Sequence, residues 1–172
     1  MARFTIDGYG QVELNNVAFR RDGRIEAQCK LANGIAYVEN GMLLAIDNVT
    51  RTVKYPAADG TDLIALNYTA EHMYDERTPG LKNFRVDAGS FLPRLGYLAK
   101  GDKFTTNLFD TSLDEDGIKA AVATGLYGCE STSGLIALST TKPTGKAVVL
   151  QVVADTTMPD GTFGLKFQVL DC

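Results

Sequence analysis

The chain has 172 residues, 45% of them hydrophobic and 22% charged. That is enough to bury roughly 70% of the unfolded surface without disulfides or metals. Its formal charge of −4 excludes a general nucleic-acid binder, because such proteins need clustered lysine and arginine to displace counterions from phosphates. No apolar run approaches the roughly 18 residues of a membrane span, and the first seven residues lack the apolar core of a secretory signal.

From the N-terminus, Phe4 to Asp7 alternates as a strand does, and Gly8-Tyr9-Gly10 ends it. Val12-Glu13-Leu14 and Val17-Ala18-Phe19 read as short extended pieces. Asp22-Gly23 is a hairpin signal, since both residues tolerate the positive φ of a type I′ turn. Arg24 to Leu31 then alternates polar and apolar, the mark of a half-buried strand. Asn33-Gly34 and Asn40-Gly41 repeat the turn signal on either side of Ile35 to Val38. Met42 to Ile46 is a continuous apolar run, which predicts a strand buried on both faces. Thr50 to Tyr55 alternates until Pro56 removes a ladder donor.

Leu63 to Tyr68 predicts the next strand, Tyr74 to Lys82 a polar loop holding Pro79-Gly80, and Phe84 to Asp87 a further strand. Lys100-Gly101-Asp102 turns between Tyr97-Leu98 and Phe104 to Thr106. One short helix is predicted over residues 113–124, with Asp114-Glu115-Asp116 at its positive end and Gly125 as its C-terminal cap. Ala147 to Ala154 and Thr162 to Leu170 form the clearest hairpin, joined through Pro159-Asp160-Gly161. Roughly ten to twelve strand candidates against one helix predict a mainly β, compact antiparallel β-sandwich or barrel, organised as one β-rich domain over residues 1–172.

Chemistry is sparse. His72 is the sole histidine, and no nucleophile or orienting acid can be nominated beside it. Cys29, Cys129 and Cys172 are odd in number, far apart and at no metal-ligand spacing, which points to free thiols in a reducing cytosol. Thr140 and Ala147 stand where a phosphate loop beginning before Gly145-Lys146 would need glycine and a hydroxyl. Ala123 stands where a calcium loop built on Asp114 to Gly117 would need its bidentate acid. Carboxylate pairs such as Asp75 with Glu76 and Asp155 with Asp160 leave a glycosidase reading open, with a solvated acidic face as the plainer one. Asn48-Val49-Thr50 and Asn67-Tyr68-Thr69 match the glycosylation sequon, idle without secretion. The chain is therefore expected to be no enzyme, to need no cofactor or metal, and to work by its surface. The candidate interface is Tyr74, Arg77, Pro79 and Lys82 in the polar loop, together with Tyr97, because tyrosine and arginine anchor interfaces well.

The block from Glu39 to Asp110 carries four segments of note: Asn40 to Leu44, Glu71-His72-Met73-Tyr74, Arg94 to Leu98, and Gly101 to Asn107. In these it resembles small virion proteins of tailed phages of Gram-positive bacteria. The resemblance implies a structural protein of the particle, of the capsid decoration (cement) type, made in the host cytoplasm and carried on the capsid surface. It implies the major capsid protein and neighbouring copies of the chain as partners, a trimer being one arrangement, with no direct contact to nucleic acid or membrane. It also leaves residues 1–38 either in the domain or as an extended capsid-contacting arm. A tail, head–tail connector or head-fibre component, and a carbohydrate-binding β-module, are the alternatives.

Overall fold

The computed structural model describes residues 9–71 and 84–172. In chain order the first elements are β1 (Val12–Asn16), α1 (Ala18–Asp22), β2 (Ile25–Glu26), β3 (Lys30–Leu31), β4 (Tyr37–Val38), β5 (Leu43–Asp47), β6 (Thr52–Lys54) and β7 (Leu63–Asn67). Beyond residue 83 follow β8 (Val86–Asp87), β9 (Leu95–Gly96), β10 (Lys103–Thr106), β11 (Phe109–Asp110) and α2 (Glu115–Thr124). The last are β12 (Tyr127–Glu130), β13 (Ile136–Ser139), β14 (Val149–Thr157) and β15 (Phe163–Asp171).

The strands form a seven-stranded sheet in the order β1-β10-β15-β14-β12-β13-β11, a six-stranded sheet in the order β2-β9-β7-β5-β6-β3, and a β4-β8 ribbon. The fold is mainly β, and the two large sheets make a sandwich. Side-chain alternation divides its interior into two cores. Leu43 and Ala45 of β5, with Ile64 and Leu66 of β7, face Phe104, Leu150, Leu165 and Phe167 of the larger sheet. Met42, Leu44 and Ile46, with Ala65, point the other way and join Val38 and Val86 of the ribbon. The β5–β7 register places Leu43 opposite Leu66 and Leu44 opposite Ala65, so each cross-strand pair serves one core. The six-stranded sheet is therefore a middle layer, and this is why Met42 to Ile46 had to be apolar throughout.

The long hairpin β14–β15 is present as expected. Its turn is closed by Met158 N–H to the Thr162 carbonyl (2.8 Å) and by Asp160, which accepts from the Thr162 amide and hydroxyl. Helix α2 begins at the Asp114 cap, whose carboxylate accepts from Gly117 N–H at 2.8 Å, and it packs Ile118 and Ala121 into the first core. Asp114 to Gly117 is the helix start that the acidic run predicts.

Several local expectations are corrected. There are two helices among the described residues, because Ala18-Phe19 opens α1 rather than a strand. Val17 offers no side-chain cap; Asp102, far along the chain, accepts from Ala18 N–H at 2.8 Å and supplies it. Gly23, at φ 69°, then ends the helix with its N–H on the Phe19 carbonyl, so Asp22-Gly23 is a helix stop and not a hairpin. The alternating stretch Arg24 to Leu31 is no single strand. The Glu26 carboxylate accepts from Gln28 N–H at 2.6 Å and bends the chain between β2 and β3, which lie at opposite edges of the six-stranded sheet. Asn40-Gly41 forms the expected turn, with Met42 N–H on the Glu39 carbonyl at 3.3 Å, but joins no hairpin, since β4 pairs with β8. Two strand pairs are parallel, β3 with β6 and β11 with β13, so the sheets are not wholly antiparallel. Residues 9–38 do not form a free arm: they supply β1 to the larger sheet, β2 and β3 to the middle one, and Phe19 to the first core.

Candidate functional site

Of the residues expected to form an interface, Tyr74, Arg77, Pro79 and Lys82 lie outside the described residues, as does His72. Tyr97 lies just past β9 and is half-buried. Its ring packs at the margin of the second core and also borders an open groove of about 450 Å³ with Arg24, Asp62, Leu98, Ala147 and Cys172. Burial, and then the nearby Glu26, raise the Tyr97 hydroxyl pKa. The Asp62 carboxylate is already engaged, by Lys54 at 3.0 Å and by Ala57 N–H at 2.6 Å. Cys172 donates to the Leu98 carbonyl at 3.3 Å. This groove is wide and largely apolar, and its Asp62 and Cys172 side chains are engaged in contacts of their own, so Tyr97 is one element of a surface and not the centre of a pocket.

The reactive side chains are held in structural roles. Glu130, 1% exposed, accepts from the amides of Ala147 and Val148 at 2.9 and 3.0 Å, pinning the entry to β14 against β12. Cys29 and Cys129 are buried, and burial raises both thiol pKa values. A groove of about 250 Å³ between α2 and the β14–β15 turn holds Glu115, Lys119, Asp155 and Phe163. There Lys119 lies 3.9 Å from Glu115, 4.0 Å from Asp116 and 5.7 Å from the Phe163 ring centre, so its charge is shared among the three. Among the described residues no group of three or more His, Cys, Asp or Glu side chains could hold a metal, and no helix is long and apolar enough to cross a membrane. The two sequons are unlike: Asn48 is exposed, while Asn67 is fully buried and donates its amide to the Glu39 carbonyl at 2.8 Å, leaving no room for a glycan in the folded chain.

The segments behind the phage resemblance meet in one polar framework. Gly41 N–H donates to the Asn67 carbonyl at 2.9 Å, and Asn67 N–H returns to the Met42 carbonyl at 2.9 Å. The Asn40 amide reaches the Thr69 carbonyl at 2.9 Å, the Thr69 hydroxyl donates to Asn67, and Arg94 N–H donates to the Thr69 hydroxyl at 2.8 Å. Gly41 sits at φ 94° directly against the Thr106 side chain of β10, where only glycine leaves space for the two sheets to approach. Asn40 to Leu44, Arg94 to Leu98 and Gly101 to Asn107 are thus the joint between the sheets. Their backbones and buried side chains are framework, while Arg94, Tyr97 and Lys103 reach the surface from it.

Reasoning from sequence overlooked a second groove, of about 380 Å³, at the β1–β2 side of the sandwich, lined by Leu14, Arg20, Ile25, Tyr68, Ala70 and Arg94. The basic run Arg20-Arg21-Asp22-Gly23-Arg24 reads as one solvated turn, but its members part company: Arg21 pairs with Asp22 at 2.6 Å, Arg24 faces the Tyr97 groove, and Arg20 faces this one. The helical placement of Ala18 to Asp22, invisible as a pattern, was the missing signal.

No family model, no curated protein and no solved structure matches the chain.

Proposed function

We propose that this chain is a structural protein of a tailed-phage virion that binds the outer surface of the capsid and reinforces it, acting by adhesion and making or breaking no covalent bond. The observation that carries the reading is the joint between the sheets. Three of the four segments that resemble phage virion proteins come together at that joint, so the likeness falls on the residues that define the scaffold and not on scattered surface positions. The rest of the molecule is consistent with the role. Its buried carboxylates are spent on backbone amides. The outward side of the larger sheet carries Lys103, Gln151, Lys166 and Gln168, a polar, hydrogen-bonding face suited to a wet interface. A protein repeated over a shell multiplies a modest single contact into a large total, through an interface of order 1,600 Å² per site. Partners in this reading are the major capsid protein and neighbouring copies of the chain, with the capsid surface as its location.

Purified protein added to undecorated shells tests the proposal. It should bind at a fixed ratio to the major capsid protein and raise the melting temperature of the shell. Failure to bind, or recovery of the chain on DNA-free tails, removes the capsid role.

A further inference from the structure

The second groove has the construction of a ligand site, and the reason lies in the topology. Strand β1 ends the seven-stranded sheet and β2 ends the six-stranded one, so on this side each flanking strand lacks a further strand neighbour among the described residues. Helix α1 connects the two edges and closes the opening only at its base, where the fully buried Phe19 ring meets the Tyr68 ring at 4.9 Å between centres. Gly96 allows this, because a Cβ there would stand about 2.5 Å from the Phe19 ring. Above that plug an open seam remains, floored by Leu14, Ile25 and the Tyr68 ring.

Two cations border the seam. Arg94 is held at its backbone by Arg94 N–H to the Thr69 hydroxyl (2.8 Å) and by Tyr68 N–H to the Arg94 carbonyl (2.9 Å), and its guanidinium lies 6.0 Å from the Tyr68 ring centre. Arg20 enters from α1. No lining residue is acidic, and neither arginine forms an ion pair with a described residue. Of the acids next to lining residues in sequence, Glu71 is directed to Tyr9 and Asn40, Glu26 accepts from Gln28 N–H, and Glu13 alternates with Leu14 on β1 and is exposed. Between the two arginines the Tyr68 hydroxyl is screened from solvent and has no acceptor for its proton; the donor-only Arg94 guanidinium and then Arg20 pull its pKa down against the larger upward effect of burial. A buried hydroxyl without a partner is rare and costs free energy until something accepts its proton.

We infer that this seam is a carboxylate-binding site for an extended acidic segment of a protein partner. Two guanidiniums and a phenolic donor around one opening match the two oxygens of a carboxylate, with charge-assisted bonds to each. The apolar floor between two sheet edges takes the neighbouring side chain of an extended strand, as in strand-addition modes of peptide recognition. A polyanion fits poorly: the chain as a whole is negative, and two positive charges neutralise one or two groups and no more. The inference rests on charge and geometry at this seam and stands whether or not the protein resides on a capsid.

The test is an amide-resolved NMR titration of the full chain with the blocked peptide acetyl-Val-Thr-Glu-Thr-Val-amide, its glutamine counterpart, and inorganic phosphate. The acidic peptide should shift the amides of Ile25, Tyr68, Ala70 and Arg94 saturably, with a dissociation constant of order millimolar for so short a probe. The glutamine peptide, and Arg20→Gln or Arg94→Gln protein with an unchanged melting temperature, should each bind about five-fold more weakly or worse. Arg94→Glu should lose the acidic peptide and gain the corresponding lysine peptide, a reversal that a merely structural arginine would not produce. Equal binding of the glutamine peptide, no saturable shift at these amides up to about 10 mM peptide, or phosphate binding there while the peptide stays silent would each overturn the assignment.

Discussion

Asp102 offers the sharpest test of how the two sheets are tied together. It is 5% exposed, and each carboxylate oxygen accepts one backbone amide: Ala18 N–H at 2.8 Å and Ala99 N–H at 2.9 Å. The first bond caps α1, the second closes the turn that carries the chain from β9 in one sheet to β10 in the other, and the Asp102 carbonyl accepts Val169 N–H of β15 at 2.9 Å. Hydrogen bonds to a charged group contribute about 1.5–3 kcal/mol each, so Asp102→Ala should cost about 3–5 kcal/mol. For a chain of this length that corresponds to a fall in melting temperature of roughly 10 °C. Asp102→Asn keeps one accepting oxygen and turns an amide toward the other N–H, so it should cost about half as much. Urea unfolding followed by circular dichroism measures both, and hydrogen exchange should show Ala18 and Ala99 losing protection ahead of the core strands. A loss below about 1 kcal/mol for Asp102→Ala would refute the reasoning, because the carboxylate would then be dispensable to both ends it joins.

Three further outcomes follow from the same coordinates. Leu44→Ala, at a fully buried position in the second core, should cost about 2–5 kcal/mol, while Leu63→Ala on the exposed edge of β7 should stay within about 0.5 kcal/mol; comparable losses would mean the middle layer is not buried on both faces. An aromatic disulfide reagent should modify Cys172 alone in the native protein, more rapidly as pH rises past the ordinary thiol value of 9.0 because burial and then Asp102 raise its pKa, with Cys29 and Cys129 reacting only on unfolding. Equal rates for the three thiols would contradict their placement. The Asp47 carboxylate is held below its ordinary 3.8 by the Thr50 hydroxyl and then by the amides of Thr50 and Val49. Its folded pKa is depressed, so its contribution is present above that ordinary value and is lost as pH falls through the lower folded one. The melting-temperature gap between parent and Asp47→Asn should therefore close between pH 6 and pH 2, and a constant gap would rule the linkage out.

The elements legible in the sequence are those whose pattern reports burial directly. Met42 to Ile46 showed its two covered faces because no polar residue interrupts it, and the β14–β15 hairpin showed itself through two long runs about one turn. The elements that misled are short ones decided by partners far away. Ala18-Phe19 carries no helical signal of its own, since Asp102 supplies the cap. Arg24 to Leu31 keeps its alternation across a bend made by a single Glu26–Gln28 contact. Strands β11 to β13 passed unnoticed because β12 is Tyr-Gly-Cys-Glu, whose buried glutamate is satisfied by two amides from another strand's entry. The candidate interface fared differently again. Its loop residues lie outside the described structure, Tyr97 proved to be half core, and the Arg20–Tyr68–Arg94 seam draws on three distant segments that no local pattern links.

This division bears on what the resemblance can and cannot specify. The block from Glu39 to Asp110 supplies β5, β6, β7 and β9 of the middle sheet and the joint, where substitution is constrained by the Gly41–Thr106 approach and by amides that must find acceptors. Such constraints act on the scaffold and are indifferent to the partner. The proposed recognition instead falls to side chains that the scaffold presents: the outward polar positions of the larger sheet, and Arg20 and Arg94 at the seam, where Arg94 is held by its backbone and by the Tyr68 ring. A double exchange tests the separation directly. Exchanging Arg20 and Arg94 together for glutamate should transfer preference from the acidic to the lysine peptide while leaving the melting temperature within about 1–2 °C. If the fold instead collapses with the exchange, scaffold and recognition are not separable here.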